Sequence, residues 1–283
     1  MNRIRQPISY KETVFWGIIG ILLAFGFYEY LSYNQHLKNP TNTTMPNVTQ
    51  LFAGFKQMCT YKPNPFFPDQ KVTAIEKFFN TMIVRDIIAT YFRLLSGIFI
   101  GCLIGTFIGI LMGSYEVIAA LFTPIFSILS KTPGTGMLAV FMTMFGTSEY
   151  MYVPMIAFGI TPLLAQSVYL SIKHDVHDEE IDKAYTLGAS SIEVIWNVMF
   201  KQILPKILDN VRLQIGPAMV CLIAAEMMNA QVGIGYQIRM QQKLLNMSIV
   251  YNYLMISGLL GLLMDKLMLT LRRVICPWFS RYR

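Results

Sequence analysis

The fold is decided by residues 178–205, which read DEEIDKAYTLGASSIEVIWNVMFKQILP. Apolar residues recur along this stretch at intervals of three and four, which is helical periodicity, and the pattern breaks at Gly188. We therefore expect two short helices that meet at the glycine, with Asp178 and Ser190 or Ser191 as N-caps. An amphipathic helix outside a membrane must place its apolar face against something, and a groove on a soluble partner is one such place.

The composition around this stretch is that of a membrane protein. Hydrophobic residues make up 54% of the 283 residues and charged residues only 14%, whereas about a quarter of the residues in a soluble domain are charged. The net charge of +7 is explained by lysine and arginine kept at the cytoplasmic face of a membrane, so no nucleic-acid partner is expected. The four cysteines are far apart in sequence and support neither a disulfide framework nor a zinc pattern.

Six apolar segments are long enough to cross a bilayer, which takes about 20 mostly apolar residues. They are residues 14–31, 87–112, 118–145, 151–172, 208–229 and 250–271. The first has a basic start but is too long for the core of a signal peptide, so we expect an uncleaved helix. Between it and the second span, a polar segment rich in proline predicts a loop outside the membrane, with short surface helices over Gln50–Met58 and Ile75–Val84.

The second predicted span has a glycine at every fourth position. These glycines are Gly97, Gly101, Gly105, Gly109 and Gly113. On a helix this spacing makes a groove along one face, and close backbone approach drives helix association in lipid. We expect a tight helix–helix seam here, either in a transport core or in an ordinary bundle, since the spacing does not separate the two.

Proline and polar residues interrupt the third predicted span at residues 130–136, which read SKTPGTG. Irregular backbone at membrane depth is tolerated only where it is buried in protein or lines a cavity. Lys131, Thr132 and Pro133 are therefore candidates for lining a translocation pathway. In the alternative interpretation, Lys131 lies near the cytoplasmic interface and extends its amine to water.

An acidic residue, Glu226, lies deep in the fifth predicted span. A carboxylate at that depth is costly and indicates a functional site, with Lys131 or Arg212 as its cationic partner. Glu226 and Asn229 are the remaining pathway candidates, and the alternative is a static contact that holds the bundle together. Arg93 and Arg212 are expected near span ends, where a long side chain reaches water.

Residues for catalysis or metal binding are not apparent. The sequence has no G-x4-G-K-S/T phosphate-binding loop and no arrangement of nucleophile and base that is typical of an enzyme. His174 and His177 stand beside acidic residues, but polar residues are expected anyway where a span leaves the membrane. We therefore predict neither a metal site nor an enzyme activity.

The stretch quoted at the outset resembles the EAA loop of bacterial ABC-importer permeases. It has Asp182-Lys183-Ala184 where the family has Glu-Ala-Ala, and the glycine of the family follows as Gly188. In the resemblance this loop contacts a cytoplasmic ATPase. The residues that it assigns to ATPase coupling are Asp182, Lys183, Ala184, Gly188, Ala189, Leu204 and Pro205.

Further stretches extend the resemblance over residues 86–275. They are RLLSGIFIGCLIGTFIGILMG at 93–113, TPIFSILSKTP at 123–133 and VRLQIGPAMVCLIAAEMMNAQVGIGYQI at 211–238. Each is similar, in the same order along the chain, to a motif of the nitrate/sulfonate/taurine (bicarbonate) branch of these permeases. The chain thus resembles the binding-protein-dependent inner-membrane transport components of that branch.

The resemblance implies an all-α membrane protein of about six transmembrane helices, with the type I ABC-importer permease fold and a cytoplasmic coupling helix. The implied organisation is a cytoplasmic tail over 1–13, a first transmembrane helix over 14–31, a periplasmic loop over 32–85, a permease core over 86–275 with its coupling loop at 173–205, and a cytoplasmic tail over 276–283. The protein is expected in the bacterial inner (cytoplasmic) membrane with both termini cytoplasmic, which the distribution of basic residues also favours.

The implied function is that of the transmembrane permease subunit of an ATP-driven importer for a small anion of the nitrate, bicarbonate, sulfonate or taurine type. The implied partners are cytoplasmic ABC ATPase subunits, a periplasmic or lipid-anchored solute-binding protein and a second copy of the permease. The chain itself is expected to bind no cofactor, with ATP and Mg on the ATPase. The alternatives are a secondary transporter or channel that needs no ATPase, a membrane-embedded enzyme, and a scaffold protein.

Overall fold

The chain folds as a bundle of α-helices. A computed structural model describes residues 9–38, 43–60 and 81–279. The helices in these ranges are α1 (Tyr10–Lys38), α2 (Val48–Met58), α3 (Met82–Ser114), α4 (Glu116–Leu129), α5 (Leu138–Phe145), α6 (Tyr152–Asp175), α7 (Asp178–Thr186), α8 (Ser191–Asn229), α9 (Ile234–Lys243) and α10 (Met247–Ile275). Of these, α1, α3, α6, α8 and α10 are long and apolar enough to cross a membrane. The predicted all-α membrane class is confirmed.

The third predicted span, 118–145, is divided in the structure. α4 ends at Leu129 and α5 begins only at Leu138, with turns between them. The cause is Pro133, which has no N–H and disfavours helical backbone at the residue before it. The prediction of a single span is wrong here, and two short helices joined by an irregular segment take its place.

α1 lies at the edge of the bundle. It continues past its predicted end to Lys38, and none of its most apolar part is buried in protein. Its C-terminal half is held by Tyr28, whose hydroxyl donates to the oxygen of Pro46 at 2.8 Å, and by Ser32, whose hydroxyl donates to Oδ1 of Asn47 at 2.7 Å. Its most apolar part therefore has no cover from the described residues of the chain.

Apolar cores hold the other helices together. One lies between α3, α6 and α8, where Leu94, Leu164 and Leu222 are fully buried. Another joins α2, α9 and α10, with Met58 and Ile234 fully buried in it. α8 is central to this arrangement, because it packs against α6, α9, α10 and α3.

The glycine-bearing face of α3 packs against α6. A Cβ added at Gly97 would lie 2.6 Å from Cβ of Ile156, and one added at Gly109 would lie 2.7 Å from Cβ of Val168. The same face of α6 is met by the other glycines of the row, which are Gly101, Gly105 and Gly113. Only residues without a side chain let these backbones approach so closely. The row of glycines therefore lies against one partner helix over its whole length.

Replacing Gly109 by alanine should weaken this seam. The added methyl group would meet Cβ of Val168 at 2.7 Å and the backbone oxygen of Ala165 at 2.8 Å, and the backbone oxygen cannot rotate away. We expect Gly109→Ala to lower the free energy of unfolding in mixed micelles by about 1–3 kcal/mol. Gly20→Ala in α1 is the matched control, because nothing lies within 4 Å of its added Cβ. An equal effect of both changes would show that the seam does not hold the bundle.

Candidate functional site

The turn between α7 and α8 is built around Gly188. This residue has φ +86°, a left-handed conformation that favours glycine. Its N–H donates to the oxygen of Tyr185 at 2.9 Å, and the N–H of Ala189 donates to the oxygen of Ala184 at 3.1 Å. These bonds satisfy carbonyl groups at the end of α7, and the chain then turns into α8.

α8 begins with a capping box. The hydroxyl of Ser190 accepts from the N–H of Glu193 at 3.4 Å, and the carboxylate of Glu193 accepts from the N–H of Ser190 at 2.8 Å. Ser190 is therefore the N-cap, as one of the alternatives expected. The expectation for α7 is wrong, because its N-cap is His177 and Asp178 lies in the first turn. A carboxylate there still interacts favourably with the helix dipole.

The second helix of this segment is not short. α8 continues without interruption to the far side of the bundle, and its residues Val194–Phe200 are wound as a π-helix. Leu204 and Pro205 therefore lie inside a membrane-length helix, and Pro205 is buried. Pro205 has no N–H, so the carbonyl that loses its helical bond is that of Lys201, which is an exposed residue.

Apolar side chains are exposed on both sides of the Gly188 turn. Leu187 is 88% exposed, Ile192 79% and Trp196 58%. We call these three residues the apolar patch. An exposed group of large apolar side chains at a turn outside the bundle is typical of a surface that a partner covers.

The residues assigned to ATPase coupling divide between this surface and the bundle. Asp182, Lys183 and Gly188 are exposed, Ala184, Ala189 and Leu204 are half-buried, and Pro205 is buried. Nζ of Lys183 lies 3.8 Å from the carboxylate of Glu179 one turn earlier on α7. The structure thus groups the residues of α7 and its turn beside the apolar patch and leaves Leu204 and Pro205 within α8.

Ion pairs fix this end of α8 to its neighbours. Lys206 pairs with Asp175 at the end of α6, and the side-chain amide of Gln202 donates to the backbone oxygen of Asp175 at 2.7 Å. Further along α8, the carboxylate of Asp209 accepts from Arg272 of α10 at 2.5 and 2.6 Å. A displacement of this part of α8 is therefore shared with the ends of α6 and α10.

Glu226 lies near the other end of α8 in a buried polar cluster. Its carboxylate is 2.6 Å from Nη1 of Arg93, and it accepts from the hydroxyl of Thr90 at 2.9 Å and from the N–H of Gly235 at 2.9 Å. Glu226 is 0% exposed and Arg93 is 5% exposed. Buried charges are tolerated when they are paired and hydrogen-bonded, and here the partners come from α3 and α9.

Arg93 also ties this cluster to the start of α6. Its Nη2 lies 2.5 Å from Oε2 of Glu149, and its Nη1 donates to the oxygen of Val232 at 2.8 Å. The guanidinium is stacked 4.5 Å from the centre of the Tyr152 ring. The side chain of Arg93 therefore joins α3, α6, α8 and the segment before α9.

The cationic partners predicted for Glu226 are wrong. The partner is Arg93, whereas Arg212 pairs with Asp265 of α10 and Lys131 is exposed. Arg93 is buried and does not lie at a span end. The expectation failed because charge alone does not say which face of a helix a residue occupies.

A sequence signal for the cluster nevertheless exists. Asp86, Thr90, Arg93 and Gly97 are spaced by four, three and four residues, so they lie on one face of α3. The row of glycines continues that face, and the polar residues therefore enter the same interior. Asp86 does so by accepting from the hydroxyl of Tyr253 at 2.8 Å.

The turns between α4 and α5 hold the other pathway candidates. Lys131 and Pro133 are exposed, and Thr132 is half-buried. Thr132 lines a cavity of about 120 Å³ between these turns, α6 and α8, and Glu226 and Asn229 do not line it. The candidates thus lie in separate places, and their part in a pathway stays a prediction.

Comparisons with known proteins match this chain to a family, to relatives and to a solved fold. The family model described as binding-protein-dependent transport system inner membrane component matches residues 97–276. The taurine transport system permease protein TauC of Escherichia coli (strain K12) is 26% identical over 277 residues, which cover 97% of this chain and 92% of that protein. The putative aliphatic sulfonates transport permease protein SsuC of the same organism is 26% identical over 159 residues, which cover 55% of this chain and 59% of that protein.

A chain of the MetNI methionine ABC transporter, solved in an inward facing conformation, shares the fold. The TM-score is 0.62 at 17% identity, over 69% of this chain and 96% of that chain. At this identity the likeness shows the fold alone. It confirms the fold of an ABC-importer permease that the sequence predicted.

Proposed function

Because the chain belongs to the family of binding-protein-dependent transport system inner membrane components, and within it to the nitrate/sulfonate/taurine branch, we propose that it couples ATP hydrolysis by a partner to the uptake of a small sulfonate. The protein is an ABC importer permease component of the inner membrane. The observation that carries the proposal is the apolar patch at the Gly188 turn, which gives a soluble partner a place to bind.

ATP is proposed to be bound and hydrolysed by that partner. The sequence contains no phosphate-binding loop of the G-x4-G-K-S/T type, so ATP and Mg would be held by a cytoplasmic ABC ATPase. Leu187, Ile192 and Trp196 would enter a groove of the ATPase, and the exposed charges of α7 would line its rim. The permease itself would then be a non-catalytic subunit.

The coupling would run along α8. This helix carries Trp196 of the apolar patch near one end and Glu226 of the buried cluster near the other. When the ATPases close, a displacement of the Gly188 turn would move α8 together with α6 and α10, to which it is ion-paired. The bundle would then alternate between outward and inward openings, as a rigid-body switch.

The full importer is proposed to contain two copies of the permease, the ATPase subunits and a periplasmic or lipid-anchored solute-binding protein. Both chain termini would lie in the cytoplasm, on the same side as the Gly188 turn. Support for a sulfonate comes from the relatives, because the taurine permease is aligned over 97% of this chain. Taurine and simple aliphatic sulfonates are therefore the first solutes to test.

Uptake into proteoliposomes tests this function. The permease is reconstituted with its ATPase, and radiolabelled taurine is added outside together with the solute-binding protein. We expect ATP-dependent accumulation that stops when the ATPase or the binding protein is left out. Accumulation by the permease alone would instead identify a secondary transporter or channel.

Replacing Leu187 by aspartate should weaken the binding of the ATPase. Leu187 is 88% exposed, so a charge there leaves the bundle intact but is costly once a partner desolvates it. We expect the affinity for the ATPase to fall about tenfold or more, as for a central interface residue. Leu244→Asp is the matched control, since Leu244 is 62% exposed but follows α9, at the other end of α8 from the Gly188 turn. Binding titrations that show equal losses for both variants would rule out the apolar patch as the docking surface.

A further inference from the structure

The cavity between the α4–α5 turns, α6 and α8 has walls of two kinds. The polar wall is formed by Ser130, Thr132, Gly134 and Gln214, with Cys221 beside them. The remaining walls are apolar, and most of their side chains come from α6. At about 120 Å³ the cavity has room for several waters or one small organic molecule, since a single water needs roughly 10–15 Å³.

The polar wall holds hydrogen-bond donors that lack acceptors. In the ranges that the structure describes, the backbone N–H of Gly134 donates to no backbone oxygen. The side-chain amide of Gln214 makes no hydrogen bond there either. Gly134 and Gln214 are half-buried, and the amide of Gln214 is not among the fully buried unpaired atoms, so water can reach this wall. A ligand that brings acceptor oxygens can take the place of that water.

The absence of carboxylates from the cavity bears on the sign of that ligand. No acidic side chain lines the cavity within the described part of the chain, and Lys131, which lies between Ser130 and Thr132 in sequence, is exposed and is not part of the lining. An anion is favoured by these donors, whereas a cation would meet no carboxylate. A transport site must also release its ligand, and neutral donors hold an anion less tightly than a charged side chain does.

From these features we propose that the cavity binds the sulfonate group of a small aliphatic sulfonate during its passage across the membrane. The sulfonate oxygens accept from the N–H of Gly134 and from the amide of Gln214. The short carbon chain packs against the apolar wall from α6. The proposal rests on the proposed function, since it names the place in the permease where the imported anion is held.

Cys221 provides a reporter inside this site. A Cβ added at Gly134 would lie 3.1 Å from its Sγ, so the thiol faces the polar wall. Cys102 is also half-buried but lies on α3 and does not line the cavity. The full chain in lipid nanodiscs is treated with methyl methanethiosulfonate, a small neutral thiol reagent. Peptide mass spectrometry then follows the modification of each cysteine separately.

Ethanesulfonate is expected to protect Cys221 and to leave Cys102 unaffected. By mass action, a concentration of ten times Kd slows the labelling of an occupied site about tenfold. Ethanesulfonamide, a neutral molecule of similar size, should give no protection at the same concentration. The site is overturned if ethanesulfonate leaves the labelling of Cys221 unchanged, if the sulfonamide protects equally, or if Cys221 never reacts.

Gly159 allows the cavity itself to be narrowed. It lines the cavity from α6, and nothing lies within 4 Å of a Cβ added there. Gly159→Ala therefore adds a methyl group without a clash. We expect the ethanesulfonate concentration for half-protection of Cys221 to rise about tenfold or more.

Gly216→Ala on α8 is the matched control for this change. The Cβ added at Gly216 is equally free of contacts, and Gly216 does not line the cavity. Half-protection should therefore stay at the wild-type concentration. An unchanged value in Gly159→Ala, or the same rise in both variants, contradicts the proposal.

The labelling experiment separates this site from the proposed function. Protection of Cys221 is measured without the ATPase and without uptake. Taurine uptake with no protection of Cys221 would contradict the proposed binding site and leave the proposed importer function standing. Protection of Cys221 in a protein that imports no sulfonate would support an anion site in the cavity and contradict a sulfonate as the transported substrate.

Discussion

Replacing Arg93 by methionine is expected to lower the free energy of unfolding by about 3–5 kcal/mol, because it leaves the carboxylate of Glu226 buried without a cation. Nη1 of Arg93 lies 2.6 Å from that carboxylate, and Glu226 is 0% exposed. Thr90 and Gly235 would still donate hydrogen bonds to it, but neither carries a charge. Chemical unfolding in mixed micelles, followed by circular dichroism, measures the loss.

Arg212→Met is the matched control for this change. Arg212 is ion-paired with Asp265, but its side chain is 32% exposed and that of Asp265 is 38% exposed. Such a pair contributes about 0–1 kcal/mol. A loss of the same size in both variants would mean that the buried pair is not what holds α3 and α8 together.

A second change separates charge from packing at this position. Adding Glu226→Gln to Arg93→Met removes the buried negative charge while keeping the shape of the side chain. We expect the double variant to recover much of the lost stability, since a neutral amide is far cheaper to bury than an unpaired carboxylate. A double variant that is less stable than Arg93→Met would assign the effect to lost packing against Tyr152.

Gly188→Pro is expected to abolish the binding of the ATPase while the permease still inserts into the membrane. Proline fixes φ near −65°, and Gly188 has φ +86°. The change also removes the N–H that donates to Tyr185 at 2.9 Å. The turn then cannot form, and α7 no longer presents its side of the apolar patch. The spans themselves are untouched, because nothing lies within 4 Å of a Cβ added at Gly188.

Graded changes at Gly188 serve as controls. Asparagine adopts the left-handed conformation more readily than other residues with a side chain, and alanine there costs about 1–2 kcal/mol. We therefore expect ATPase co-purification to fall in the order glycine, asparagine, alanine, proline, at equal membrane levels of the permease. Co-purification at the wild-type yield with proline would exclude the turn as the coupling element.

Much of the fold follows from local rules that the sequence obeys. The apolar runs predict the membrane helices, and the four-residue spacing from Gly97 to Gly113 lies in the structure against α6. Ser190 followed by Glu193 predicts the capped start of α8. Each of these patterns lies within one helix or one turn, so the chemistry of neighbouring residues is sufficient to read it.

Contacts between distant helices could not be read in the same way. Arg93 and Glu226 are 133 residues apart, and their pairing depends on how far α3 and α8 are rotated about their axes. The continuity of α8 past Pro205 could not be predicted from the sequence for a different reason. A proline normally ends a helix, but α8 continues through both Pro205 and Pro217.

The π-helical stretch Val194–Phe200 determines how the two ends of α8 are rotated relative to each other about the helix axis. α8 has 39 residues and is about 58 Å long as an ideal helix, so a single wide turn changes its length little. The wide turn has a larger effect on the direction in which side chains point around the helix axis, since each residue of an α-helix advances about 100°. A wide turn of this kind takes up about one extra residue, so rewinding the stretch as α-helix with all its residues kept would rotate the side chain of Ile192 by about 100° around the axis relative to Glu226. The two ends of α8 are thus set relative to each other in rotation as well as in distance.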